Sequence, residues 1–370
     1  MKALGVVAVT VLVSACGNGT SPSGGVGAKG GSAFAGMGGG AAGAAGSGGA
    51  APKGTPLTGV VAVAAGSGHA CALLKSGSIY CWGDNGEGEL GNGSTANSTM
   101  AVPVSGISNA TGLAADSGYA CAVLADGTVS CWGSNEGWEL GGNFGATSTI
   151  PITVYGLSGG ATMVAGRTSG ACAIVSGGLV QCWGQGWGYR FVDGGTDLVP
   201  SLPMTLANAS GVTAISASNY DLCAMMAGGE VECWGQGVDA SVVKGVTASA
   251  ISGNCAIVSG GNIQCWQNSS LVLEDAGTGG LGDFTSLSAS QSALCAVQGK
   301  TGTAVYCWDR LGPNQVSGLT GVSSVSVGVR FACAAMNDGT ARCWGNNESG
   351  QLGNGMIQDS AGPTTVLVPQ

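Results

Sequence analysis

His69-Ala-Cys71-Ala-Leu-Leu-Lys75-Ser-Gly77-Ser-Ile-Tyr-Cys81-Trp82-Gly83 is the unit from which this chain is built. Two β-prone runs flank a glycine-bearing turn, and a third run, Gly59 to Gly66, precedes them, so the unit reads as an antiparallel meander. Pairing across the turn sets Cys71 opposite Cys81, near enough for a disulfide. Cysteine, short gap, cysteine, tryptophan then recurs six times. The pairs are Cys121 and Cys131, Cys172 and Cys182, Cys223 and Cys233, Cys255 and Cys265, Cys295 and Cys307, and Cys333 and Cys343. The tryptophans that follow are Trp132, Trp183, Trp234, Trp266, Trp308 and Trp344. Seven short units that cannot each bury an apolar face must stack on one another.

The turn itself recurs as Asp126-Gly127, Gly177-Gly178, Gly228-Gly229, Gly260-Gly261 and Asp338-Gly339, residues that accept the positive φ of a tight hairpin. Cys295 and Cys307 enclose two more residues than the other pairs, and an even insertion keeps both side chains on one face. A zinc reading fails on spacing: the gaps are nine or eleven residues, paired zinc ligands use two to four, and the chain has one histidine. No metal or cofactor is expected. Seven disulfides belong to an oxidising compartment.

The start of the sequence agrees with export. Met1 and Lys2 lead into an apolar run, Leu4 to Val13, about half the roughly 20 residues that a membrane span needs. Val13-Ser14-Ala15-Cys16 resembles a bacterial lipobox, which makes residues 1–15 a signal peptide and Cys16 the acylated N-terminus; an ordinary secretory signal with a chance cysteine is the alternative. Residues 16–55 are Gly/Ala/Ser-rich and read as a flexible tether with a reach of about 35 Å. Residues 56–370 hold all twenty acidic residues and eight basic ones, a formal charge of −12, so nucleic acid is excluded as a partner. The expected location is the outer membrane or cell surface, with the membrane touched only through the lipid anchor.

Three copies continue past the tryptophan with a longer motif: Trp82-Gly-Asp-Asn-Gly-Glu-Gly-Glu-Leu90-Gly91, Trp132-Gly-Ser-Asn-Glu-Gly-Trp-Glu-Leu140-Gly141 and Trp344-Gly-Asn-Asn-Glu-Ser-Gly-Gln-Leu352-Gly353. Together with the preceding Gly-His69-Ala-Cys-Ala-Leu and the hairpin glycine, this resembles the regulator of chromosome condensation repeat. The resemblance implies a seven-bladed β-propeller of four-stranded blades, all-β, with one hairpin disulfide per blade. Copies three to six lose the Leu-Gly segment, and the spacing falls to 32 residues between Cys223 and Cys255, which leaves open whether the middle blades have a full fourth strand. Ring closure is open too: the first strand pairs into the last blade, or Thr364 to Val368 completes it. The family's best-known eukaryotic member is a nucleotide exchange factor that docks on chromatin. That role is not carried over to an exported chain without a basic tail. Exported bacterial propellers of similar build include β-lactamase inhibitors, so the scaffold can serve as a plain protein-binding face.

Few residues invite chemistry. His69, the one histidine, fills a slot held elsewhere by Tyr119, Asp221 and Phe331, and reads as a packing residue; no nucleophile elbow surrounds it. Asp84, Glu87 and Glu89 do not follow the EF-hand order and read as a solvated loop. The seven tryptophans after cysteine read as core or inter-blade packing. Trp138 and Trp187 stand where sibling copies carry glycine, serine or glutamate, so the fold does not need them. With Phe144, Tyr189, Arg190 and Phe191 they form the candidate binding surface for a protein or an envelope glycan. A monomeric binding module without catalytic residues is expected. The alternatives are an envelope hydrolase or lyase using a close pair of loop carboxylates, and a purely structural surface protein.

Overall fold

The computed structural model describes residues 53–142, 145–185, 201–217, 221–235, 238–266, 273–275, 278, 280–290, 293–309 and 312–370. Seven four-stranded antiparallel sheets follow one another along the chain, each built from strands consecutive in sequence. Blade one runs Val60–Ala65, His69–Leu74, Ile79–Gly83 and Ser98–Pro103. The first strands of successive blades pack against each other in an unbroken cycle, with blade seven's against blade one's, so the sheets form a closed ring around these inner strands. This is the seven-bladed propeller implied by the repeats.

All seven disulfides form as the hairpin register requires. Cys71 lies directly opposite Cys81, Cys121 opposite Cys131, Cys172 opposite Cys182 and Cys223 opposite Cys233. Cys255 likewise faces Cys265, and Cys333 faces Cys343. Cys295 and Cys307 are opposed as well, despite a separation of 12 rather than 10. The bridged Cα atoms are 4.0–4.1 Å apart in every pair.

Where the sequence left the fourth strand of the middle blades open, the structure keeps it and shortens it. The outer strands are Ser98–Pro103 and Thr147–Thr153 in blades one and two, then Met204–Thr205, Val238–Val242, Leu273–Asp275 and Gly312–Gln315, and again Ser360–Thr365 in blade seven. Closure uses no exchanged strand. All four strands of blade seven come from its own repeat, and Gly54–Pro56, which straddles the expected boundary at residue 56, pairs with Leu367–Pro369 as a separate two-stranded ribbon.

Antiparallel order gives the ring two unlike faces. The turn between first and second strands and the long loop after the third strand lie at one end, here the loop face; the hairpin turns and blade-to-blade linkers lie at the other, the turn face. On the turn face each blade boundary carries a backbone bond from the next blade to a hairpin-turn glycine: Ala110 N–H to Gly77 (2.9 Å), Ala161 to Gly127 (2.8 Å), Val212 to Gly178 (3.1 Å), Ala248 to Gly229 (2.7 Å), Asp283 to Gly260 (3.3 Å), Gly321 to Gly302 (2.8 Å) and, closing the ring, Val60 to Gly339 (2.8 Å). Gly77 shows why glycine recurs there: its φ is +86°, and a Cβ would lie 2.6 Å from the Ser108 carbonyl oxygen.

Candidate functional site

The loop face is built by one device used three times. In blade one, buried Asn85 holds its loop from inside: Nδ2 donates to the Ser94 and Ala96 carbonyls (both 2.9 Å), and Oδ1 accepts from Leu90 N–H (2.9 Å). Asn135 and Asn347 repeat it in blades two and seven. Each loop then sends a backbone carbonyl to the next blade's indole: Trp82 Nε1 donates to Gln351 (2.9 Å), Trp132 to Glu89 (2.8 Å) and Trp183 to Glu139 (2.8 Å). The glycine of Leu-Gly makes room. At Gly91, φ is +62° and a Cβ would lie 2.8 Å from the Trp132 ring. The tryptophans are therefore buried inter-blade packing residues, as expected.

Glu89 corrects the sequence reading. It is not solvated but 4 % exposed, and its Oε2 accepts from Glu87 N–H at 2.9 Å. Burial pushes its carboxyl up to about 7. Glu139 does the same against Gly137 N–H (2.8 Å), and burial raises it too. In blade seven an amide suffices: Gln351 Oε1 accepts from Ser349 N–H at 2.9 Å. A neutral side chain meets the same need, so these acids are loop pins rather than a catalytic pair.

His69 is fully buried, and burial lowers it to about 4 against the weaker upward effects of the Asp84 charge and the Tyr119 backbone. It is a neutral packing residue at the inner edge of the ring.

The repeat is broken in one sector. Asp116 and Arg167 stand at the ends of the first strands of blades two and three, where blades one and seven have Gly66 and Gly328. Both are buried: Asp116 is 0 % and Arg167 4 % exposed. Asp116 Oδ1 accepts from Ser117 N–H (2.6 Å) and Oγ (3.1 Å). Burial raises its carboxyl to about 7, partly offset by those bonds and by the Arg167 charge. Arg167 also acts on Asp221 of blade four, half-buried and raised by burial to about 6, and its Nη2 donates to the Gln185 carbonyl at 3.3 Å. Tyr119 lies between, its hydroxyl donating to the Gly170 carbonyl and accepting from Arg167 N–H (3.0 Å). A charged line thus crosses the inner loop face from blade two to blade four. Comparing copies position by position would have found it, since charges stand where siblings have glycine.

Trp138 belongs to the same sector. It is half-buried and adopts φ 59°, where Gly88 and Gly350 have φ of 89° and 83°. For a tryptophan this conformation costs about 1–2 kcal/mol. The siblings need glycine because the next blade presses on them: a Cβ on Gly88 would lie 2.8 Å from Ser148 O, and one on Gly350 2.9 Å from Thr99 Cα. Blade three's outer strand starts only at Met204, so among the described residues no strand presses on position 138 in that way. Trp187, Tyr189, Arg190, Phe191 and Phe144 lie outside the described residues, as does Cys16. Of the aromatic candidates, Trp138 alone is placed. Among the described residues no group of histidine, cysteine, aspartate and glutamate could hold a metal ion.

Comparison with known proteins agrees with this geometry. Models of the regulator of chromosome condensation (RCC1) repeat match residues 60–89, 76–121 and 322–351. The entire ectodomain of the Physcomitrella patens receptor kinase CR4 superposes with a TM-score of 0.53 at 21% identity, covering 78% of this chain and 74% of that one. The CRINKLY WD40 ectodomain of the Arabidopsis thaliana receptor kinase ACR4 gives 0.52 at 17% identity, covering 78% and 96%. Prp20p of Saccharomyces cerevisiae, described with its binding to Gsp1p and histones, gives 0.48 at 18% identity, covering 83% and 76%. At these identities the likeness concerns the fold alone. No curated protein matches the chain.

Proposed function

Because the chain belongs to the regulator of chromosome condensation repeat family, we propose that it is a binding platform, using the loop face of blades two to four to hold a protein or an envelope glycan. One observation carries this reading: the residues that break the repeat (Asp116, Arg167 and Trp138) all lie in that sector of that face, and a left-handed tryptophan is kept where glycine would be cheaper. Local rules are broken at functional sites more than elsewhere. The seven disulfides point to an oxidising, extracellular environment. Among the described residues no helix is long and apolar enough to cross a membrane.

In this proposal Cys16 is acylated and residues 16–55 form the tether, leading into the ring through Gly59, whose carbonyl accepts from Lys75 N–H at a hairpin turn (2.7 Å). Affinity capture from the envelope extract of the producing cell tests the binding reading, with the full chain as bait beside a Trp138→Gly variant. The expected result is a partner held by the first bait and lost by the second, with no loss of thermal stability. Equal capture by both, or none, rejects this face. Cys16→Ser should abolish incorporation of an alkyne fatty acid; unchanged labelling rejects the anchor.

A further inference from the structure

A second site lies on the opposite face. Where blades two, three and four meet at the turn face there is a cavity of about 560 Å³, within the ordinary size of small-ligand sites. Its apolar part comes from Leu113, Leu124, Met163 and Val164, and its polar part from Thr111, Thr162, Thr213 and Asp126.

The polar groups of the lining are three threonine hydroxyls and one carboxylate. Thr213 Oγ1 lies 3.0 Å from the Met225 carbonyl, Thr111 Oγ1 3.3 Å from that of Val123 and Thr162 Oγ1 3.4 Å from that of Ile174. The Thr213 hydroxyl donates to its carbonyl and keeps lone pairs to accept with, and the two longer contacts leave the Thr111 and Thr162 hydroxyls able to accept as well. Thr111 and Thr213 are bulged residues where the first strand slips register. Four backbone donors of the lining are spent: Ala125 N–H on Asn109, Gly127 on Leu124, Ala161 on Gly127 and Thr162 on Ile174. Asp126 Oδ1 takes Thr128 N–H (2.9 Å) and Oγ1 (2.7 Å); those bonds hold the carboxyl below its ordinary range, so it stays charged. Its other oxygen makes no bond among the described residues. No lysine or arginine lines the cavity.

A lining with one charged carboxylate, three hydroxyls, no cationic side chain and an apolar wall favours a cationic donor on a short hydrocarbon stem. We infer that this cavity binds a primary ammonium group on an aliphatic chain, with the ammonium between Asp126 and the threonine hydroxyls and the stem against Leu113 and Met163. The net charge of −12 on residues 56–370 draws such a ligand in. A free alkylamine and a lysine side chain of a partner share this chemistry.

The test is titration of the disulfide-intact full chain, followed by amide chemical shifts, with butylammonium, with butan-1-ol as neutral counterpart, and with a lysine-bearing tripeptide. Saturable butylammonium binding is expected, with shifts at Thr162 and Gly127. Asp126→Asn keeps the Thr128 bonds and should weaken binding about tenfold, the usual worth of a charge-assisted bond. An unchanged melting temperature of Asp126→Asn is the check on folding. Tighter binding of the peptide assigns a protein lysine as the source; tighter butylammonium assigns a free amine. Equal binding of butan-1-ol, no saturable binding of either cation, or full binding by Asp126→Asn overturns the inference.

Discussion

Trp132 Nε1 donates a 2.8 Å hydrogen bond to the backbone carbonyl of Glu89, joining the second blade to a loop of the first. The same bond joins blades seven to one and two to three; where the preceding copy has lost Leu-Gly, the buried indole nitrogens of Trp234, Trp308 and Trp344 have no partner among the described residues. Trp132→Phe should therefore destabilise the protein by about 1–2 kcal/mol more than Trp344→Phe, since only the former strands a buried carbonyl. Both residues are fully buried, so lost area cancels in the comparison. Guanidinium unfolding with disulfides intact measures the difference; equal losses would show that the bond contributes nothing.

Blades four to seven are joined by a different device nearer the axis. The serine opposite the first cysteine accepts a backbone N–H from the next blade: Ser216 from Gly253 (2.6 Å), Ser252 from Ala289 (3.0 Å), Ser288 from Val327 (3.0 Å) and Ser326 from Ala65 (2.9 Å). Blade three has Ala165 at that position, so among the described residues its boundary with blade four has neither the serine nor the indole bond. Ala165→Ser should supply it and raise stability by about 0.5–1 kcal/mol. Ser288→Ala should lower stability by about 1–2 kcal/mol through the unpartnered Val327 N–H. Thermal melts of both variants check the pair.

Glu89 makes stability depend on pH. Its carboxyl rises from 4.5 to about 7 on folding, so the folded chain holds a proton that the unfolded chain releases. That contribution is fully present below about pH 4.5 and is lost as pH rises through 7. Asp116, raised from 3.8 to about 7, acts in the same direction. His69, lowered from 6.5 to about 4, opposes them, its contribution appearing as pH rises from 4 to 6.5. Glu89→Gln should copy Gln351, raise stability at pH 8, and flatten the profile between pH 5 and 7. Denaturant midpoints across that range would show it; an unchanged slope would remove Glu89 as a source.

Reduction should begin in blade five. Cys255 is 8 % exposed and Cys265 more so, whereas Cys71, Cys81, Cys333 and Cys343 are at 0 %. Blade five also has short strands, Ala250–Ser252 and Cys255–Val258 among them, which favours local opening. Mild reductant followed by alkylation and peptide mapping should label Cys255 and Cys265 first. Labelling that starts at Cys71 and Cys81 would contradict this order.

Much of the molecule could be read from local rules. Each cysteine pair is opposed because side chains alternate along a strand, which is why the 12-residue spacing of Cys295 and Cys307 fits as well as the ten of Cys121 and Cys131. Position 138 stood out by comparison with Gly88 and Gly350. Glu89 resembles a solvated acid in a glycine-rich loop until that loop is folded against the next blade. Asp116 and Arg167 each look ordinary alone; only blade order brings them to neighbouring inner strands.

The number of blades, the pairing of the cysteines and the oxidising environment are all written in the amino-acid order, because they depend on periodicity and on contacts within one hairpin. Which indole finds a partner, which carboxylate is buried, how the ends meet, and where a cavity opens between blades two and four emerge only when the ring is assembled. Each depends on what one blade presents to the next, and that contact joins residues from different repeats, 43 positions apart for Glu89 and Trp132.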